Sequence, residues 1–210
     1  MTNNTQIGYD RVAAQYAESK FHELDYKPFD RHLLMMFAEM VEGHGLVCDI
    51  GCGPGQIARY LHDQGADAMG VDLSPNMIEQ ARQLNPGQRF EQADMRALPF
   101  SDGQLAGITA FYSVIHIPRS DVTSVLKEFR RVLQPNGWQL LAFHIGDEVL
   151  HRDEWFEKSV SLDFTFFQLA EMRGYLETAG FTVKMTTERA PYLEEHPSQR
   201  GYLLAQNYSA

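Results

Sequence analysis

The sequence predicts an α/β fold, built as a doubly wound, seven-stranded and mostly parallel sheet. Short apolar runs alternate with amphipathic helical segments between residues 46 and 145, as in chains that form parallel sheets with helices on both faces. A glycine-rich turn follows the first apolar run. The last two apolar runs have no helix between them, so we expect them to pair antiparallel. The predicted sheet is therefore Rossmann-like with an antiparallel last strand, and an N-terminal helical cap precedes it.

The helical cap is predicted over residues 1–45. Pro28 divides it into two helices, and Gly43 and Gly45 end the second one. In each helix apolar residues recur every three or four positions, which places them on one face. These residues are Tyr9, Val12, Ala13, Tyr16 and Ala17 in the first helix, and Leu33, Leu34, Phe37, Met40 and Val41 in the second.

The alternating core is predicted over residues 46–145. Its first strand is LVCDI, a continuous apolar run with one acid near its end, as expected for a strand buried on both faces. Ser74 and Pro75 are predicted to begin a helix, because serine is a favoured N-cap and proline a favoured first helical residue. The other strands read AMGVD, RFEQAD, LAGITAFYSVI and WQLLAFHI, and the helices read IARYLHDQG, SPNMIEQARQLN and PRSDVTSVLKEFRRVL.

The remaining segment, residues 146–210, is predicted to add an insertion on the ligand-facing side and a C-terminal hairpin. Residues 146–164 read as a loop-rich stretch. Thr165 and Gln168 are predicted to form a capping box for the helix QLAEMRGYLETAG. The strands FTVKMTTE and GYLLAQ then form the hairpin. We expect residues 1–210 to form a single domain.

Composition and charge exclude several classes of protein. The chain has 210 residues and a formal net charge of −10, and an acidic surface repels phosphate backbones, so no nucleic-acid partner is expected. The N-terminus lacks the apolar stretch of a signal peptide, and no window is long enough to span a membrane. Cys48 and Cys52 are the only cysteines and are too few for a zinc site. We expect a cytoplasmic protein with reduced thiols, no metal and no membrane contact.

The glycine-rich turn points to a nucleoside-like ligand. Gly51 follows the first strand with further glycines at every second position, and ligands of open parallel sheets bind beyond the carboxyl ends of the strands. Asp72 ends the second strand about 20 residues later, where a carboxylate accepts hydrogen bonds from ribose hydroxyls. Dinucleotide folds favour G-x-G-x-x-G, whereas this turn reads G-C-G-P-G-Q. Asp49 beside the turn would repel a diphosphate and favours a cationic ligand.

The ordered motifs DIGCGPG, VDLSPNMIEQAR, QADMRALPFSDGQLAGI, FYSVIHI and LQPNGWQLLAF resemble the class I S-adenosylmethionine-dependent methyltransferases. The chain looks like the small-molecule branch of that family, related to the ubiquinone and menaquinone biosynthesis enzymes. The resemblance implies S-adenosylmethionine as cofactor and S-adenosylhomocysteine as product. It also implies in-line methyl transfer to an oxygen, nitrogen or carbon nucleophile of a small molecule.

The resemblance also implies roles for individual residues at the cofactor. Asp49 is expected to reach the ammonium group and Asp72 to hold the ribose, and the N-terminal helix is expected to act as a lid through Tyr9 and Tyr16. Each role has a structural alternative, since Met77 is equally suited to the helix core and the two tyrosines to packing. The complete expected cofactor set is Tyr9, Tyr16, Asp49, Gly51, Gly53, Gly55, Asp72, Leu73, Met77, Asp94, Met95 and Phe111.

The substrate side is expected to contain Tyr112, His116, His144 and Arg200. His116 is the candidate general base, because the pKa of histidine lies near neutrality. A helix-capping or backbone-bonding histidine is the alternative. For Arg200 the choice is between holding an anionic substrate group and being a solvated loop charge.

Two other functions stay open at this level. A non-catalytic S-adenosylmethionine-binding sensor or scaffold would keep the same glycine turn and Asp72. A nicotinamide-dependent oxidoreductase would share the fold, although the glycine spacing does not favour it. The acceptor and the choice between monomer and homodimer are not decided by the sequence.

Overall fold

The computed structural model describes residues 2–208, which form a three-layer α/β structure. Two 3₁₀ turns, Glu23–Tyr26 and Val114–His116, accompany six helices: α1 (Thr2–Lys20), α2 (Pro28–Val41), α3 (Gln56–Asp63), α4 (Pro75–Leu84), α5 (Arg119–Val132) and α6 (Leu169–Thr178). The strands are β1 (Leu46–Ile50), β2 (Asp67–Asp72), β3 (Arg89–Gln92), β4 (Leu105–Phe111), β5 (Leu133–His144), β6 (Val149–Trp155), β7 (Lys158–Thr165), β8 (Thr182–Arg189) and β9 (Arg200–Gln206). No helix within residues 2–208 is long and apolar enough to cross a membrane.

Seven of the strands form one sheet in the order β3-β2-β1-β4-β5-β9-β8. All neighbours pair in parallel except β9, which runs antiparallel to both β5 and β8. The predicted fold class, including the antiparallel last strand, is therefore confirmed. In the sheet, β1 lies between β2 on one side and β4 on the other. The strand order therefore reverses between β1 and β4, and their carboxyl ends border the topological switch point, where ligands bind in this architecture.

Apolar residues cover both faces of the sheet. On one face α5 contributes Val125, Leu126 and Phe129, all nearly inaccessible to solvent. On the other face the core includes Leu34 and Phe37 of α2 and residues of α3. Burial on two faces explains why β1 reads as a continuous apolar run rather than an alternating pattern.

The segment after β5 differs from the prediction of a loop-rich stretch. Strands β6 and β7 form a separate two-stranded antiparallel sheet. The turn between them consists of Phe156 and Glu157, both with positive φ, 50° and 59°. Such turns usually contain glycine or asparagine, so this sequence carries no signal for the hairpin. The hairpin packs on α1, where the Arg11 guanidinium donates to the Ser159 carbonyl at 2.8 Å.

The helix starts were predicted with mixed success. Ser74 is the N-cap of α4, with its hydroxyl accepting from the Met77 backbone N–H, and Pro75 is the first helical residue, as predicted. The capping box of α6 was placed three residues too early. Thr165 is the last residue of β7, whereas Gln168 is the N-cap and its backbone N–H donates to the Glu171 carboxylate at 3.3 Å.

Candidate functional site

Two adjoining cavities open at the carboxyl ends of β1, β2 and β4. The first cavity, about 450 Å³, extends along the ends of β1, β2 and β3. The second cavity, about 440 Å³, lies between the glycine turn, the β6–β7 hairpin and the loop before β9. Both volumes suit small ligands. Six residues line both cavities and so form their shared edge: Tyr9, Tyr16, Gly51, Gly53, Phe111 and Tyr112.

The three glycines of the turn have positive φ angles but different surroundings. A Cβ on Gly51 would lie 2.3 Å from the Ser113 Cβ, so this position requires glycine for close packing. A Cβ on Gly53 would meet only Tyr16, at 3.6 Å. Gly55 lines neither cavity, and a Cβ there would lie 2.7 Å from the Phe90 ring. Gly55 therefore has a packing role behind the turn, and its expected cofactor contact stays a prediction.

Asp72 holds the glycine turn and the start of α4 together. Its carboxylate accepts from the backbone N–H of Gly53 at 2.8 Å and of Ser74 at 2.9 Å. Asp72 also lines the first cavity. Desolvation by burial raises the pKa of Asp72 to about 6, although the backbone hydrogen bonds oppose the rise. An additional hydrogen-bond donor in the first cavity would stabilise the ionised carboxylate.

Asp49 lies deeper, in β1, and lines the second cavity. Its side chain is buried and accepts a hydrogen bond from the Thr109 hydroxyl at 2.8 Å. Burial raises the pKa of Asp49 to about 7. A cationic group placed next to this carboxylate would favour its ionised form. The fully buried Thr109, a polar residue within the apolar strand β4, is the sequence signal for this partner, and sequence reasoning missed it.

The residues expected around an adenine ring are only partly brought together. Leu73, Asp94 and Met95 line the first cavity. The Asp94 carboxylate also accepts from Arg96 Nε at 3.0 Å, and this pairing lowers its pKa. Met77 is 1% exposed and lines neither cavity. The structure therefore places Met77 in the core beneath α4 and not against a ligand.

Tyr112 directly follows β4 and has a positive φ of 54°. Such a backbone conformation is strained for a residue with a side chain, and strain of this kind is concentrated at functional sites. The Tyr112 hydroxyl lies 3.2 Å from the Tyr202 hydroxyl. The conformation places Tyr112, beside Phe111, on the shared edge of the two cavities.

Tyr9 and His116, 107 positions apart in the chain, form a hydrogen-bonded pair. The Tyr9 hydroxyl lies 2.7 Å from His116 Nε2, and His116 Nδ1 lies 2.9 Å from the Asp163 carbonyl. Because a carbonyl only accepts, Nδ1 carries the proton, and Nε2 accepts from Tyr9. Desolvation by burial lowers the pKa of His116 to about 4. The pair therefore contains a neutral imidazole and connects α1 with the end of β4 and with β7.

His144 and Arg200 both line the second cavity, and both make hydrogen bonds to the loop before β9. His144 Nδ1 lies 2.9 Å from the Ser198 hydroxyl, and burial lowers the pKa of His144 to about 3. The Arg200 guanidinium is buried and donates to the Ser198 hydroxyl and the His196 carbonyl. Arg200 is therefore not a solvated loop charge, and its guanidinium binds the loop before β9. Its expected contact with an anionic substrate group stays a prediction.

A buried ionic cluster borders the second cavity, and sequence reasoning missed it. Lys27 Nζ lies 2.7 Å from the Glu23 carboxylate and 3.2 Å from the Glu195 carboxylate. The Arg189 guanidinium joins Glu195 to Asp30. The residues of this ionic cluster come from the cap, from β8 and from the loop before β9, so no spacing in the sequence predicts the whole cluster. The cluster fixes the cap against the C-terminal part of the sheet.

The fold and the site together define an α/β protein with a nucleoside-sized cavity at the switch point of its sheet. A family model described as a methyltransferase domain matches residues 47–137. Malonyl-[acyl-carrier protein] O-methyltransferase of Pseudescherichia vulneris is 36% identical over 91 residues, covering 43% of this chain and 36% of that protein. Ubiquinone/menaquinone biosynthesis C-methyltransferase UbiE of Desulfotalea psychrophila is 36% identical over 99 residues, covering 45% of this chain and 39% of that protein.

A solved structure described as a DhpI–SAH complex has the same fold. It matches with a TM-score of 0.78 and 18% identity, covering 100% of this chain and 98% of that chain. Residues 47–137 of this chain are similar to a methyltransferase domain, and the whole chain shares its fold with the solved structure. The chain spans less than half the length of the two curated relatives named above.

The residues of the site fit S-adenosylmethionine, the cofactor that the sequence resemblance implies. The first cavity has the size of a nucleoside and contains the Asp72 carboxylate for ribose hydroxyls. The buried Asp49 has no cationic partner among the described residues, and it lies where the first strand enters the glycine turn. Gly53 leaves space for close approach of a ligand to the backbone. The match of residues 47–137 to a methyltransferase domain does not favour the sensor or the oxidoreductase alternative.

Proposed function

We propose that the protein transfers the methyl group of S-adenosylmethionine to a small-molecule acceptor. One observation carries the proposal: a nucleoside-sized cavity and a second cavity of similar volume meet at a shared edge. The nucleoside of the cofactor would lie in the first cavity, its methionine part would cross the shared edge towards Asp49, and the acceptor would occupy the rest of the second cavity. The second cavity is compact, about 440 Å³, which supports a small-molecule acceptor.

Bound S-adenosylmethionine supplies a methyl group on a positively charged sulfur. Asp72 would hold its ribose, Asp49 its ammonium group, and Leu73, Asp94 and Met95 its adenine. The residues of the shared edge would position the acceptor and exclude water, and alignment of the reacting atoms accounts for a large part of such catalysis. The helix α1 would act as a lid, because Tyr9 and Tyr16 reach from it into both cavities.

Proton transfer from the acceptor would involve the Tyr9–His116 pair. Tyr9 lines both cavities, and its hydroxyl proton already points to the unprotonated Nε2 of His116. A proton leaving the acceptor would pass to the Tyr9 oxygen as the Tyr9 proton moves to His116. The low pKa of His116 makes it a weak proton acceptor, so this pair suits acceptors that lose their proton readily or need no base.

The test is methyl transfer from isotopically labelled S-adenosylmethionine to a panel of small organic hydroxyl, amine, carboxylate and activated-carbon compounds. We expect labelled product with at least one compound and a fall in kcat of about tenfold or more in Tyr9→Phe with an ionisable acceptor. Cofactor binding by folded protein without transfer to any compound would support the non-catalytic sensor. Absence of cofactor binding would contradict the proposal.

Cofactor affinity is expected to depend on pH. Burial raises the pKa of Asp49 to about 7 and that of Asp72 to about 6. Each carboxyl must lose a proton before it pairs with a cationic or donating ligand. We therefore expect the affinity for S-adenosylmethionine to fall about tenfold between pH 7.5 and pH 6. At pH 6, one unit below its pKa, Asp49 is about 90% protonated, so only about one molecule in ten has the ionised carboxylate that the ligand needs. Calorimetric titration across this range measures it.

The matched variant for this prediction is Asp49→Asn, which should bind more weakly and lose most of the pH dependence. The same variant is expected to raise the melting temperature of the ligand-free protein at pH 8. The pKa of Asp49 is higher in the folded protein than in the unfolded chain, so this carboxyl favours folding at pH values below its unfolded pKa. That contribution is lost as the pH rises through about 7. At pH 8 the wild type therefore buries an ionised carboxylate that the variant lacks. An unchanged pH dependence in Asp49→Asn would show that another group controls binding.

A further inference from the structure

Arg152 is a half-buried arginine on β6 whose side chain lines the second cavity. Its guanidinium carbon lies 5.6 Å from the centre of the Trp155 ring and 5.9 Å from that of Phe164. Among the residues that the structure describes, no carboxylate lies within ion-pair distance of it. An arginine kept against aromatic rings at a cavity wall still has its N–H donors available for a ligand.

The other cations at this cavity are differently placed. Lys27 lies between two carboxylates, and the Arg200 guanidinium donates to its own loop. Lys20 is the last residue of α1 and lines the cavity from the cap. Arg152 is the cation that approaches the cavity from the side of the hairpin.

The positive charge of Arg152 influences Tyr9, a residue of the shared edge of the two cavities. Burial raises the pKa of Tyr9, and the positive charge of Arg152 opposes that rise. The two side chains also contact the same ring: the Trp155 ring lies 6.0 Å from the Tyr9 ring and beneath Arg152. A ligand group bound by Arg152 would therefore be separated from Tyr9 by the Trp155 ring.

The wall around Arg152 is aromatic. Trp155 and Phe156 stack with their ring centres 5.2 Å apart, and the Trp155 ring meets the edge of Tyr16 at 5.4 Å. Phe164 completes this wall next to His116. Such a surface favours a planar apolar body, because aromatic rings pack against one another in stacked and edge-to-face arrangements.

We propose that the methyl acceptor is a small planar carboxylic acid whose carboxylate is held by Arg152. The proposal rests on the proposed function and specifies its substrate class. The planar guanidinium fork matches a carboxylate in a bidentate pair, and the aromatic rings behind it keep the fork oriented and partly dry. The apolar body of the acid would lie along Trp155 and Phe164, and its far end would reach the shared edge.

The experiment is calorimetric titration of the protein saturated with S-adenosylhomocysteine. The probes are benzoate, phenylacetate and 4-hydroxybenzoate, each compared with its neutral carboxamide. We expect at least one acid to bind ten times more tightly than its amide. In Arg152→Gln the affinity for that acid should fall about tenfold or more, while the affinity for the amide stays the same.

The matched control is Lys158→Gln, which removes one positive charge from the same hairpin outside both cavities. It should leave the affinity for the acid unchanged. Equal losses in both variants, or no acid that binds better than its amide, would overturn the inference. Binding of S-adenosylhomocysteine itself is measured in the same samples and reports folding, so its absence in the wild type would contradict the proposed function instead.

Discussion

Replacement of Asp72 by alanine is expected to weaken S-adenosylmethionine binding by about 100-fold or more. The carboxylate lines the first cavity where ribose hydroxyls would lie, and hydrogen bonds to a charged group contribute about 1.5–3 kcal/mol each. The same carboxylate accepts from Gly53 and Ser74, so its loss also releases the glycine turn. Both effects act in the same direction, and calorimetric titration with S-adenosylmethionine and S-adenosylhomocysteine measures their sum.

The control separates the ribose contact from the stability of α4. Ser74→Ala removes the N-cap of α4, where the serine hydroxyl accepts from the Met77 backbone N–H, but it leaves the Asp72 carboxylate in place. Loss of an N-cap costs about 1 kcal/mol of stability, and the cofactor affinity should change by only a few-fold. Wild-type affinity in folded Asp72→Ala would refute the assignment of the first cavity to the cofactor.

Much of the fold is encoded in local patterns. The strand β1 is predictable because burial on both faces demands an unbroken apolar run, and α4 is predictable because Ser74 and Pro75 mark its start. The β6–β7 hairpin lacks such a pattern. Its turn residues, Phe156 and Glu157, adopt positive φ without glycine, and packing against α1 stabilises a conformation that the local sequence does not favour.

The site residues likewise differ in whether the local sequence predicts them. Asp49 and Asp72 are predictable, because an acid at the end of a buried strand needs a partner. The Tyr9–His116 pair depends on a contact between α1 and the end of β4 that no spacing encodes. Gly55 and Arg200 also have packing and hydrogen-bonding roles that their residue types do not reveal, because these roles depend on tertiary contacts.

Substitutions at Gly55 and Gly53 of the glycine turn are expected to have opposite effects on stability and on cofactor affinity. Gly55→Ala is expected to cost about 2–4 kcal/mol of unfolding free energy while the folded protein keeps its cofactor affinity within a few-fold. A Cβ there would lie 2.7 Å from the Phe90 ring and 2.8 Å from Asn85 Nδ2. Phe90 is buried, and Asn85 donates to two backbone carbonyls, so neither side chain moves cheaply. Overpacking typically costs about 1–3 kcal/mol, and the positive φ adds to it.

Gly53→Ala is expected to show the reverse, a stability loss of only about 1 kcal/mol and a fall in cofactor affinity of about 30-fold or more. Its Cβ would meet no atom nearer than Tyr16 Cε1, at 3.6 Å, but it would occupy the edge shared by both cavities. Gly87→Ala is the control, since Gly87 has a φ of +90° and open space around its Cβ position. Chemical denaturation and calorimetric titration of all three variants measure both quantities. If Gly55→Ala lost affinity while keeping its stability, Gly55 would be a cofactor contact after all, because strain at a buried packing position must appear in the unfolding free energy.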